Sequence, residues 1–214
     1  MSYRLLIVGL SVLVWHGAAL SAPVEAGAAP AAYPALSDFG GDFTLTDQEG
    51  QSFSLKHARG KVALIYFGFT SCAETCPIAL SQVAAAMRKL GSLSTRVQPL
   101  FITVDPGRDT PELLRQYLPR FHPSIRGLTG TQQQVEAVAE KYRAPVYVRH
   151  PHEGGTYVVD HSSYLYVVGP DGELANLIRY GDSVGRIVSV VQALLLEQSS
   201  QQNAVRREGK EVDL

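Results

Sequence analysis

The stretch Val62-Ala63-Leu64-Ile65-Tyr66-Phe67-Gly68-Phe69-Thr70-Ser71-Cys72-Ala73-Glu74-Thr75-Cys76-Pro77 decides how this chain folds. Its first six residues are a nearly unbroken apolar run, as expected of a buried central strand. From Pro77 to Leu90 the apolar positions Ile78, Leu80, Val83, Ala84, Met87 and Leu90 recur at helical spacing. Between strand and helix lie Cys72 and Cys76, the only two cysteines in 214 residues. Such a pair can close a disulfide, hold a soft metal ion, or alternate between the two.

Working outward, Val97 to Val104 reads as a second buried strand. Thr110-Pro111-Glu112 opens a helix reaching about Phe121, with Pro111 suited to the first turn. Thr131 caps a third helix through about Tyr142. Two further strands, Tyr164 to Val168 and Leu174 to Tyr180, are joined by the turn Gly169-Pro170-Asp171-Gly172-Glu173. A last helix runs from Ser183 to about Glu197. Upstream, Phe43 to Thr46 and Gln51 to Ser54 flank Asp47-Gln48-Glu49-Gly50 as a β-hairpin. The order is hairpin, β, α, β, α, α, β-hairpin, α. That is an α/β chain with a thioredoxin-like layout: a central mixed β-sheet flanked by helices, with an N-terminal β-hairpin.

The ends have a different character. Arg4, the apolar run Leu5 to Trp15 and the small residues Ala19 to Ala22 form an export-signal pattern. Residues 1–22 are therefore expected to be a signal peptide or an N-terminal anchor, and 23–38 a flexible Ala/Pro-rich linker. The domain proper is expected at 39–198, and a disordered polar tail at 199–214. A net charge of −1 gives no nucleic-acid footprint. Export would place the cysteines in an oxidising compartment, where a resting disulfide between Cys72 and Cys76 is expected.

Proline disfavours helical dihedrals in the residue before it. On that ground Cys76 is expected to be the helix N-cap, facing the free N–H groups that favour a thiolate, with Cys72 in the preceding loop. A purely structural disulfide here would close a very short loop and add little stability. In this layout the segment Asp160-His161-Ser162-Ser163 leads into a strand antiparallel to Val62–Phe67. That brings it to the sheet edge where the cysteine loop lies, and makes His161 a candidate third ligand beside Cys72 and Cys76. Read from the residues alone, a loop histidine with no ligand role stands equally open. Two thiolates and an imidazole suit copper or zinc.

Three stretches in order carry a resemblance to a known family: Tyr66-Phe67-Gly68-Phe69-Thr70 with Cys72-x-x-x-Cys76-Pro77; Thr103-Val104-Asp105-Pro106-Gly107-Arg108-Asp109-Thr110-Pro111; and Val159-Asp160-His161-Ser162-Ser163 followed by Pro170-Asp171-Gly172. From about Phe39 to Glu197 the chain resembles the Sco/SenC family of copper chaperones for cytochrome c oxidase assembly. The resemblance implies copper, as Cu(I), Cu(II) or both, one ion per monomer, on Cys72, Cys76 and His161. It implies delivery to the binuclear copper site of the oxidase, with subunit II or another copper protein as partner. It also implies a place in the periplasm, with or without anchoring to the inner membrane through the N-terminal segment. Ser71, the Ala73-Glu74-Thr75 insert and Gly107 depart from the commoner family residues but remove no ligand. The rival implied by the same thiols is a thiol–disulfide oxidoreductase that keeps the oxidase cysteines reduced. A third class is a redox or copper sensor acting through a partner.

The remaining candidates have milder readings. Asp105 and Asp109 flank Arg108 near the expected site and either hold the loop through hydrogen bonds and ion pairs or face a partner. Asp160 either orients His161 or forms a turn. His150 and His152 read as solvated loop residues, with an auxiliary copper site as the alternative. His57 and His122 show no ligand pattern.

Overall fold

A computed structural model describes residues 35–149 and 158–211. The expected signal segment, and His150 and His152, lie outside the described residues. Of the expected linker, Leu36–Asp38 forms a 3-10 helical turn, closed by the Asp38 carboxylate accepting from the Ala35 N–H at 2.9 Å.

The hairpin forms as expected, with β1 (Thr44–Asp47) antiparallel to β2 (Ser52–Ser54). Its turn is tied by Asp47, whose Oδ1 accepts from the N–H groups of Glu49 (3.0 Å) and Gln51 (2.9 Å). The decisive stretch gives β3 (Val62–Gly68), buried along its whole length, and α1 (Thr75–Leu90). Then come β4 (Val97–Thr103), α2 (Pro111–Tyr117), β5 (Arg126–Thr129) and α3 (Gln132–Lys141). Both of these helices are capped by a threonine, Thr110 accepting from Leu113 and Thr131 from Gln134. After them run β6 (Val146–Arg149), β7 (Val158–His161), β8 (Leu165–Val168), β9 (Leu174–Ile178) and α4 (Val184–Glu211).

Seven strands form one mixed sheet in the order β2-β1-β5-β4-β3-β8-β9. β3 pairs in parallel with β4, and β8 is antiparallel to β3 with Tyr66 opposite Leu165. Side chains alternate across the sheet. Val62, Leu64 and Tyr66 face a core with α1, α2 and α4, while Ala63, Ile65 and Phe67 face a second core with α3 and the hairpin. The ends of β3 and the beginning of β8 therefore meet at one sheet edge. Among the described residues, no helix is long and apolar enough to cross a membrane.

Three expectations need correction, and one strand of the main sheet went unread. The N-cap of α1 is Glu74, which places Cys76 at the second helical position and Pro77 at the third. The first-turn N–H groups have no intrahelical acceptor, so proline is tolerated anywhere among them. Burial of the Cys76 side chain draws it inside. His161 is the last residue of a strand, β7, rather than part of a loop, and pairs with Val146 across the small β6–β7 sheet. β5 went unread because four residues interrupted by Gly127 carry little pattern. Finally, α4 continues beyond Glu197 to Glu211, through what was expected to be a disordered tail. Residues 198–206 contain neither glycine nor proline, so nothing local stops the helix there.

Candidate metal centre

Both cysteines are free thiols in this structure, Cys72 half-buried and Cys76 fully buried. Glu74 makes no side-chain cap for α1. The cap is supplied by Cys72, whose Sγ accepts from the Cys76 N–H at 3.4 Å and lies 3.2 Å from Thr75 Oγ1. A sulfur at a helix N-terminus sits where negative charge is favoured. Burial pushes the Cys72 thiol up, but hydrogen bonds from Thr75, Cys76 and Glu74 outweigh it, and the net displacement is downward. Cys76 is the reverse. Burial, reinforced by the neighbouring Cys72 charge, pushes it up to about 12. The expected thiolate preference therefore belongs to Cys72, because the helix begins two residues earlier than the proline rule implied.

His161 completes the group. Its Nδ1 lies 2.8 Å from the Ser162 carbonyl, which can only accept, so Nδ1 carries hydrogen. That leaves Nε2 with a lone pair, 3.4 Å from Cys76 Sγ, ready to accept the Cys76 S–H. Burial is the main reason the imidazole is pushed below its ordinary value, against the Ser162 carbonyl and the Asp160 charge. Neutral imidazole is the form that binds metals. Ser162 is itself fixed: its N–H donates to the Pro145 carbonyl (3.1 Å), and its Oγ meets Tyr166 Oη at 2.8 Å. The His161 ring is thus oriented through its Nδ1–H by the Ser162 carbonyl.

Cys72 Sγ, Cys76 Sγ and a His161 ring nitrogen all lie within 4.8 Å of one another. Donor atoms bonded to one ion at roughly 2.0–2.3 Å sit about 3.5–4 Å apart when trigonal, so a small closure of the Cys72 loop brings all three onto one ion. The donor set of two sulfurs and an imidazole fits a soft or borderline metal. The group opens on a cleft of about 620 Å³ lined by Phe69, Glu74, Arg108, Asp160, His161 and Ser163 among others.

Asp109 holds the cysteine loop in place. Fully buried, it accepts at Oδ2 from the Thr70 N–H (2.9 Å) and Thr103 Oγ1 (2.7 Å), and at Oδ1 from Thr70 Oγ1 (2.5 Å). Burial pushes its carboxyl up, and the three donors restrain that shift. Asp105 is buried too and pairs with the Arg108 guanidinium, which also lies over the Phe69 ring at 5.9 Å. His57 and His122 bond locally, to the N–H groups of Ser54 and Ser124.

Several residues at the site escaped the sequence reading. Thr75 was legible as a hydroxyl beside the cysteine pair. Tyr66 and Phe69 meet the His161 ring edge-on, with centroids 6.0 and 5.7 Å away. Gly68 matters because a Cβ there would come within 2.9 Å of both Cys76 Sγ and Phe101 Cε2.

A Cys-x-x-x-Cys pair at a helix start, with a strand histidine on the second sulfur, carries the donor atoms that thiolate exchange or soft-metal binding requires. The SCO1/SenC family model matches residues 31–196, and the chain belongs to that family. It is 41% identical over 135 residues to the SCO2-like protein of Rickettsia felis, covering 63% of this chain and 66% of that protein. It is 38% identical over 175 residues to the mitochondrial protein SCO1 of Saccharomyces cerevisiae, covering 79% and 58% respectively. The matched segments thus span about half to two thirds of these curated relatives. Among solved structures, Bradyrhizobium japonicum ScoI with copper bound superposes with a TM-score of 0.68 at 32% identity, over 73% of this chain and 99% of that one. BsSco, a member of the Sco family of cytochrome c oxidase assembly proteins in which a disulfide switch was identified, gives 0.61 at 27% identity, over 75% and 95%.

Proposed function

We propose that this protein is a copper metallochaperone of cytochrome c oxidase assembly. Cys72 and Cys76 supply thiolates and His161 Nε2 an imidazole to one copper ion per monomer. The ion then passes by stepwise ligand exchange to the binuclear copper site on subunit II of the oxidase. The observation that carries the reading is the convergence of three donor atoms within 4.8 Å at the mouth of an open cleft. It is supported by the copper-bound state of ScoI and by the assembly role given to BsSco. Cys72, half-exposed and in the loop, is the sulfur positioned to leave first. The N-terminal sequence pattern supports export to the periplasm, with the segment 1–22 cleaved or kept as an inner-membrane anchor.

The unequal cysteines favour a second reading. A thiolate at Cys72 attacks a partner disulfide, breaking its S–S bond, to form a mixed disulfide with one partner sulfur while the other leaves as a thiolate that takes a proton from water. Cys76 then gives its proton to His161, attacks Cys72 and releases the partner's second sulfur as a thiol. In that role the protein would reduce the oxidase cysteines before metal arrives.

Anaerobic copper titration of the reduced protein, beside Cys72→Ser and His161→Ala, separates the two. The chaperone reading expects one tightly held equivalent and an intense sulfur-to-Cu(II) absorption, diminished in both variants. Copper bound as tightly by both variants as by the parent would remove the chaperone reading and put the oxidoreductase first.

A further inference from the structure

The two sulfurs of the pair are held by different partners. Cys76 Sγ lies 3.4 Å from Nε2 of His161, at the end of β7. Cys72 Sγ lies 3.2 Å from Thr75 Oγ1 and accepts from the Cys76 N–H at 3.4 Å. Thr75 is the first residue of α1, directly after Glu74, whose own side chain caps nothing. The loop sulfur is thus fastened to the helix start by one hydroxyl and one backbone N–H. Cys72 and Thr75 both line the cleft, so the contact lies where an oxidant or a partner thiol arrives.

A disulfide would undo part of this arrangement. Its sulfurs bond at about 2.05 Å within a narrow range of dihedral angles, whereas both cysteines here are free. Closing it takes two electrons and two protons from the pair, and an oxidant of the disulfide class receives them as its own S–S bond opens to two thiols. To close, Cys72 Sγ must turn from Thr75 toward Cys76. A disulfide sulfur carries neither a hydrogen nor a charge to offer the hydroxyl. The contact with Thr75 therefore belongs to the reduced pair, whichever of the two atoms donates.

We propose that Thr75 is a positioning residue that holds the cysteine pair open, its hydroxyl fastening the Cys72 sulfur and favouring the dithiol over the disulfide. Both functional readings pass through that dithiol, one to receive a metal ion and the other to attack a partner disulfide. The N-terminal export pattern would put the pair under oxidising conditions, where a residue that resists closure serves either role. The inference goes beyond the copper reading and does not depend on it, because it concerns the metal-free pair.

The test equilibrates the full chain, free of metal, in graded mixtures of reduced and oxidised dithiothreitol at one fixed pH. Free thiols are counted by alkylation after acid quenching. Thr75→Val keeps the branched shape without the hydroxyl, Thr75→Ala removes both, and Thr75→Ser keeps the hydroxyl. The Val and Ala variants form the disulfide about threefold to tenfold more readily than the parent, a tenfold change being about 30 mV. Thr75→Ser stays within about twofold of the parent. Thermal melts give the same answer from the other side: the Val substitution lowers the midpoint of the reduced protein more than that of the oxidised one. A pair oxidised no more readily in Thr75→Val and Thr75→Ala than in the parent overturns the inference. So does a Thr75→Ser protein that shifts as far as they do, since that assigns the effect to packing of the methyl group. A pair that closes less readily without the hydroxyl overturns it as well. None of these outcomes bears on the copper titration, which rests on Cys72→Ser and His161→Ala.

Discussion

At the scale of single residues, the site is an unequal pair. Cys72 takes the anion position at the start of α1, and Cys76 lies inside the core with its proton on the side of His161. Alkylation of the reduced, metal-free protein with iodoacetamide near pH 7.5 should therefore modify one thiol quickly. Cys76→Ser should keep that fast reaction and Cys72→Ser should lose it. Cys76 should react only as pH climbs toward about 12, or once the chain unfolds. Fast labelling of Cys72→Ser would mean that the helix start is not as described. The sequence made the pair, the proline and the histidine plain, since each is a residue type with few uses at that spacing. It misassigned which sulfur is activated. The backbone preference before Pro77 is weak compared with the gain from burying Cys76, and the boundary of α1 moved accordingly.

At the scale of elements, the site depends on a joint between β4, α2 and the cysteine loop. Asp109 accepts three hydrogen bonds from Thr70 and Thr103, and Thr129 Oγ1 donates to its carbonyl at 3.1 Å. Asparagine keeps the shape but offers one acceptor oxygen where the carboxylate has two, so a buried donor loses its partner. Asp109→Asn should cost about 1–3 kcal/mol in urea unfolding and loosen metal binding through the Thr70 end of the loop. Unchanged stability would mean that the amide finds equivalent bonds. The long α4 gives a contrasting case. Ile187, Val191 and Leu195 are buried, whereas Gln201 to Arg206 are exposed. Gln198 is the outlying tie, accepting from Arg96 at 2.5 Å. Deleting residues 201–214 should change unfolding free energy by less than about 0.5 kcal/mol. Leu195→Ala should cost roughly 2–5 kcal/mol. A truncation as harmful as Leu195→Ala would show that the helical extension has a partner in the fold.

At the scale of the whole molecule, the parallel β3–β4 pair, the antiparallel β8 and the helices on both faces were legible because long apolar runs alternate with helical periodicity. The β6–β7 ribbon and β5 were not, since strands of four residues show too few repeats for a period. The same two-sided burial that made the sheet readable places several weak acids in the interior, and that dictates the response to alkali. Burial, above all, raises Cys76 and Tyr117 to about 12, and raises Tyr66 and Tyr142 further. A group whose folded pKa lies above its unfolded value stabilises fully below the unfolded value, and that stabilisation drains away as pH rises toward the folded one. In the unfolded chain the thiol titrates near 9 and the phenols near 10. The thermal midpoint of the reduced protein should thus show no loss from these groups up to about pH 8.5. It should then fall with a slope that steepens past pH 10 as the tyrosines join. Cys76→Ser should flatten the first part of that fall, between about pH 9 and 10, and leave the steeper part intact. A midpoint as high at pH 10.5 as at pH 8, measured with the cysteine pair kept reduced, would contradict an interior sealed around the Cys76 thiol and the Tyr66 hydroxyl.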